Sequence, residues 1–240
     1  MKYFTKEWFE LCQKISFHLN LEEEKKAEIF SEEYFQQLYN IELINWLNFR
    51  KEIDSIDFNK EKATEEFYDI FIGNHSIIKK GLPATILEQI ADIRVFALHK
   101  ATREVIDAVK TFCENNKKAI KSVGADYRSY YKEASISFDK EIVENFGFHD
   151  CTIIKSIQND TNLTLLLDNT GGFTDIDEVT FENFNIIKQD GLLENSWWLY
   201  EEVYKVNNRY EFHALLENRD NELIDFIISA DRASFTRKGF

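Results

Sequence analysis

Proline occurs once in these 240 residues and cysteine three times. The single Pro83 excludes long Pro-rich linkers. Cys12, Cys113 and Cys151 lie far apart without a CxxC pair, which argues against a disulfide framework and for a reducing, cytoplasmic setting. They read as small core hydrophobes. No apolar run approaches ~18 residues, and no apolar segment follows Met1-Lys2, so neither a membrane span nor a secretory signal is expected. The five histidines, His18, His75, His99, His149 and His213, include no i, i+4 pair, and none adjoins a cysteine. Gly171-Gly172 lacks the Lys-Ser/Thr of a phosphate loop. No metal or cofactor is therefore expected, and no catalytic residue is assigned.

What the chain does have is apolar and aromatic material: 44% hydrophobic residues, with 21 Phe, 10 Tyr and 4 Trp, enough for a sizeable core. Charge is unevenly spread. Residues 1–69 hold 9 Lys/Arg against 16 Asp/Glu; residues 134–240 hold 9 against 20, net −11. An acidic second half repels phosphates, which disfavours nucleic acid and anionic membrane as partners. Lys117, Lys118, Lys121, Arg128 and Lys132 interleave with Tyr127, Tyr130 and Tyr131. They read as a solvated helix face or as the complement of that acidic half, in preference to a single-strand binding platform.

Periodicity changes near Ala134. Before it, apolar residues recur at helical spacing. Thr5 is a good N-cap for a helix carrying Phe4, Trp8, Leu11, Ile15 and Leu19 on one face. Ser31 caps a second, with Tyr34, Leu38, Ile41 and Leu47 inward. Thr64–Ile72 predicts a third, ended by Gly73-Asn74. From Ala84 to Glu114 one stripe (Ile86, Ile90, Ile93, Ala97, Ala101, Val105, Val109, Phe112) predicts a helix ~46 Å long, an organising spine.

After Ala134 the reading is period two. Thr152–Ile157 and Leu163–Leu167, joined by Asn159-Asp160, form a hairpin. Val179–Ile187 is a strand; Trp197–Val206 and Tyr210–Leu216 pair across Asn207-Asn208; Leu223–Ser229 closes the set. About six strands with short links imply an antiparallel sheet. The expected fold class is α+β, with a helical domain over residues 1–133 and an acidic β-rich domain over 134–240.

Three features are candidate binding surfaces. His149-Asp150 stands at a strand entrance, where the carboxylate can accept buried N–H groups and the imidazole can satisfy a second buried group. The acidic cluster Asp175, Asp177, Glu178 and Glu182 can steer a basic partner. The run with Trp197, Trp198, Tyr200 and Tyr204 can anchor it, alternation placing Trp198, Tyr200 and Tyr204 on one face. The segment Asp168–Asp177 fails the calcium-loop spacing and reads as an ordinary turn-rich loop.

The opening Met1-Lys2-Tyr3-Phe4-Thr5-Lys6-Glu7-Trp8, with Phe148-His149-Asp150, resembles an uncharacterised family of Bacillus-like Gram-positive bacteria, domain of unknown function 4085. That resemblance implies no activity, ligand or catalytic residue. Phe148–Ile153 is also similar to a segment of bacterial immunity-type proteins, which implies stoichiometric binding. Two functions are expected from different classes: a cytoplasmic protein-binding module, regulatory or immunity-like, that docks a basic protein surface; or an enzyme whose site is assembled from residues scattered in sequence.

Overall fold

The structure, a computed structural model, describes residues 1–54 and 57–237. Helices precede an eight-stranded antiparallel sheet, so the fold is α+β. The chain forms two compact units, Leu11–Ala119 and a discontinuous one of Met1–Glu10 with Ile120–Phe240. The division falls inside the longest helix and not at residue 133.

Helix α1 (Lys6–Cys12) starts where Thr5 predicts, its Oγ1 accepting the Trp8 N–H at 3.2 Å. It is shorter than its periodicity implied, and Leu19 is exposed. Helix α2 (Glu32–Asp54) is capped by Ser31, whose Oγ accepts the Tyr34 N–H at 3.2 Å. Leu38 is buried as expected; Ile41 is exposed.

Helix α3 (Lys60–Gly81) runs straight through Gly73-Asn74. Helical φ is open to glycine, so Gly73 weakens the helix without ending it. Helices α2 and α3 are antiparallel: Phe35 meets Phe71 (6.0 Å), Tyr39 meets Phe67 (5.2 Å), and the Trp46 indole donates to the Ala63 carbonyl at 2.8 Å.

The predicted helix over 84–114 is instead two short helices, α4 (Ala84–Leu87) and α5 (Ile93–Ala97), then α6 (Arg103–Ala134). Asp92 starts α5 by accepting the Arg94 N–H at 2.9 Å, and Arg94 binds the same carboxylate through its guanidinium. His99, at φ 66°, breaks the chain out of α5 in the left-handed region. Its carbonyl accepts the Glu22 N–H, aligning strands β1 (Glu22–Glu23) and β2 (Lys100–Ala101) in a two-residue parallel pair. That pair is a sheet where only helix was expected. Helix α6 then passes through Asn115-Asn116 and Gly124 without interruption.

In the second unit, helix α7 (Lys140–Asn145) precedes strands β3 (Thr152–Gln158), β4 (Asn162–Asp168), β5 (Glu178–Glu182), β6 (Asn185–Gln189), β7 (Trp197–Val206), β8 (Arg209–Glu217), β9 (Leu223–Ala230) and β10 (Arg232–Thr236). Both predicted hairpins are present. Asn207 and Asn208 both have positive φ, the requirement of a tight two-residue turn. The sheet order is β10-β5-β4-β3-β7-β8-β9-β6.

Two residues separate β5 from β6 and one separates β9 from β10, yet each pair spans opposite ends of that order. At 3.8 Å per residue, such links are possible only if the sheet rolls until its ends meet. The predicted strand Val179–Ile187 is thus one bent path, kinked at Asn183 (φ 49°), and Leu223–Ser229 continues past Asp231 as β10. The rolled interior is filled by Phe148, Leu163, Leu165, Phe181, Phe212 and Phe226, among others.

Candidate functional site

At the His149-Asp150 corner the backbone governs. The Cys151 N–H bonds the Phe148 carbonyl at 2.9 Å, and Asp150 carries φ 66° at the third position of this turn. The Asp150 N–H bonds the Trp198 carbonyl at 2.9 Å, and the Trp198 N–H bonds the Cys151 carbonyl at 2.8 Å. The expected carboxylate cap is replaced by this geometry. The Asp150 carboxylate is half-exposed and sits 3.6 Å from His149 Nε2. Short polar side chains tolerate left-handed backbone better than alanine does. Asp150→Ala is therefore expected to cost ~1–2 kcal/mol and Asp150→Gly much less. Equal thermal melts for the two variants would show instead that the carboxylate is what matters.

His149 does satisfy a second group. Strand β7 bulges between Trp198 and Tyr200, and His149 Nδ1 meets the carbonyl of the intervening Leu199. A carbonyl only accepts, so Nδ1 carries the proton. The ring also faces Phe173 (6.4 Å) and Tyr200 (5.1 Å). Cys151 is fully buried, and burial pushes its thiol up to about 11, which removes it as a thiolate nucleophile near neutrality. A Cβ at Gly172 would lie 2.5 Å from Cys151 Sγ, so only glycine lets that loop close over the sulfur. Asp168 Oδ1 accepts the Thr170 N–H at 3.0 Å and hydroxyl at 2.6 Å, which accounts for that loop structurally.

The same bulge divides the predicted aromatic face. Trp198 turns into the rolled sheet, 1% exposed, while Tyr200 and Tyr204 lie on the opposite face. Tyr204 is also buried, and Tyr200 is covered by Phe4 (5.4 Å) and Trp8 (4.8 Å). Trp198 and Tyr204 are thus core residues and cannot anchor a partner; Trp197 stays half-exposed. Tyr127 and Tyr130 of α6 pack here too, their hydroxyls bonding the Val203 N–H (3.2 Å) and carbonyl (3.3 Å).

In the acidic cluster, Asp175 pairs with Arg237 at 2.7 Å, and Asp177 is tied into the backbone of Leu167 and Thr236. Glu178 and Glu182 share the half-buried face of β5 with Thr180, whose hydroxyl bonds that of Thr164 at 2.8 Å. Glu178 and Glu182 thus stand at the two ends of β5, and Asp175 and Asp177 precede it.

Two adjacent glutamates have opposite surroundings. Glu201 binds the Trp198 indole N–H at 2.8 Å, and burial pushes its carboxyl up to about 7. Glu202, on the other face, is fully buried and accepts the backbone N–H groups of Lys2 (2.8 Å), Tyr3 (2.8 Å) and Phe4 (2.6 Å), with the Tyr204 hydroxyl at 2.7 Å. His213 Nδ1 lies 3.9 Å from it, and burial lowers the His213 pKa.

Sequence reading missed a cleft of about 390 Å³ in the helical unit, between α2 and α3 and closed by the end of α5. Its walls are Trp46, Phe49, Phe67, Ile70 and Phe71; Glu42, Asn45, Asn74 and His99 supply the polar side chains. A second cleft of about 210 Å³ shares Asn74 and His99 and adds Phe17, Leu21 and Ile77. The first cleft is mostly apolar with a few placed polar groups, and the second also carries Gln13, Ser16 and Asn20. The detectable signal was an apolar stripe on α2 too wide for one buried face. Among the described residues, no group of three or more His, Cys, Asp and Glu could hold a metal ion, and no helix is long and apolar enough to cross a membrane.

Residues 29–227 match the model of the family described as protein of unknown function (DUF4085). The chain belongs to this family. The match includes α2, α3, the cleft and the His149-Asp150 corner, and leaves out the opening Met1–Trp8. No curated protein and no solved structure matches the chain.

Proposed function

We propose that this DUF4085 protein is a cytoplasmic protein-binding module, regulatory or immunity-like, that docks a basic protein surface stoichiometrically. The observation that carries the reading is the α2–α3 cleft, an open apolar recess in which Glu42 is, among the described residues, the one carboxylate of the lining. The −11 balance of residues 134–240 adds long-range attraction for a positive partner. Three free cysteines fit a reducing compartment.

An enzymatic reading has one observation in its favour: the Glu201 carboxyl, at about 7, holds a proton that could be exchanged near neutrality. That carboxyl is bound to the indole of buried Trp198, which favours the binding reading. Affinity capture from the native cytoplasm, followed by binding kinetics on the captured partner, tests the proposal. Association is expected to slow at least tenfold between about 0.01 and 0.15 M salt, as the Debye length shortens from ~30 to ~8 Å. Uniformly acidic partners, or a salt-independent association rate, would overturn it.

A further inference from the structure

We infer that the α2–α3 cleft is a helix-in-groove site, and that its occupant is an amphipathic α-helix of a partner protein bearing a lysine or arginine beside its apolar stripe. The inference rests on the binding reading above and adds the place and the shape of the ligand.

The argument begins with helix periodicity. Ile70, Asn74 and Ile77 stand at i, i+4 and i+7 on α3, one face over two turns, or about 10 Å at 1.5 Å per residue. All three line the adjoining clefts. On α2, Glu42, Asn45 and Phe49 stand at i, i+3 and i+7 and line the same recess. Phe49, Ile70 and Ile77 are 52%, 47% and 58% exposed, so α3 presents an apolar ridge to solvent and α2 a mixed one with Phe49 as its apolar end. A groove between two such ridges accepts a third helix by ridge-into-groove packing, with apolar anchors at i, i+3 or i+4 and i+7.

Charge sets the occupant's sign. Among the described residues, no Lys or Arg lines either cleft, and Glu42 is the one carboxylate in the linings. Asp69, exposed, precedes Ile70 on α3. The neighbouring cations are engaged within the chain, Arg50 over the Trp46 ring with Asp54 and Glu66, and Lys100 with Glu22, whereas a helix with a flanking cation meets Glu42. His99 stands where the two clefts meet.

The test uses the full chain and two labelled helical peptides of equal length, one of Leu and Lys and one of Leu and Glu, read by fluorescence anisotropy. The Leu/Lys peptide is expected to bind at least tenfold more tightly than the Leu/Glu peptide. Ile70→Asp, on an exposed helix position, should weaken it at least tenfold, and Glu42→Lys should narrow or invert the preference between the peptides. Unchanged circular dichroism melts would show that both variants fold. Leu/Lys binding that ignores both substitutions would place the cation site elsewhere and overturn the inference while leaving the binding reading intact. Preference for the Leu/Glu peptide, or sedimentation showing that Ile70→Asp dissolves a dimer of this chain, would also overturn it. If the native partner binds the Ile70→Asp variant as before, the groove fails and the general reading survives.

Discussion

Glu202→Ala is expected to lower stability by ~3–5 kcal/mol, the largest effect of any single substitution considered. Its carboxylate accepts three successive backbone N–H groups and the Tyr204 hydroxyl while fully buried. Hydrogen bonds to a charged acceptor contribute ~1.5–3 kcal/mol each, and the four are not additive because they are lost together when residues 2–4 detach. Glu202→Gln should cost less: its oxygen can still accept from Tyr3 and Phe4, while its NH2 faces the Lys2 N–H and Tyr204 O–H donors. Chemical denaturation measures both. Amide exchange at residues 2–4 supplies an independent readout, expected to accelerate in both variants. A loss below about 1 kcal/mol for Glu202→Ala would mean that these residues contribute little to the fold.

The second large effect is a pH dependence with an unusual direction for a carboxylate. Burial raises the Glu201 carboxyl from 4.5 to about 7, so the folded chain holds this proton where the unfolded chain releases it. The folded state then binds more protons between those values, and stability from this group falls as pH rises from about 4.5 through about 7. Glu201→Gln keeps an acceptor for the Trp198 indole and removes the titration. It should leave stability nearly unchanged near pH 4.5 and raise it by ~1–3 kcal/mol at pH 8, the full pKa difference being discounted for partial solvent access. The decisive quantity is the difference between parent and variant across pH, since other carboxylates cancel in it. A flat difference would show that Glu201 titrates alike in the folded and unfolded chains.

Local chemistry was legible and tertiary chemistry was not. Thr5 and Ser31 announce their helices because each cap is a contact within three residues. Asn159 and Asn207-Asn208 announce hairpins for the same reason. The apolar stripe from Ile86 to Phe112 reads as one helix because periodicity does not see Asp92 starting a new turn or His99 leaving the helical region. The facing of Trp198 and Tyr204 was misread because a one-residue bulge at Leu199 shifts parity, and its stabiliser, His149, lies fifty residues away. The cleft was out of reach for a similar reason. Phe49 and Ile70 are ordinary helix residues until α2 and α3 are laid side by side.

The contacts of Glu202 also set a clock. Its partners Lys2, Tyr3 and Phe4 lie 198 to 200 residues earlier in the chain. At synthesis rates of ~5–20 residues per second, those residues leave the ribosome ~10–40 s before the strand that receives them. The whole of Leu11–Ala119 is made in the interval. Residues 2–4 are thus made long before the strand that locks them in place, and a nascent chain interrupted before Ile120 carries Phe4 and Trp8 with their receiving residues unmade.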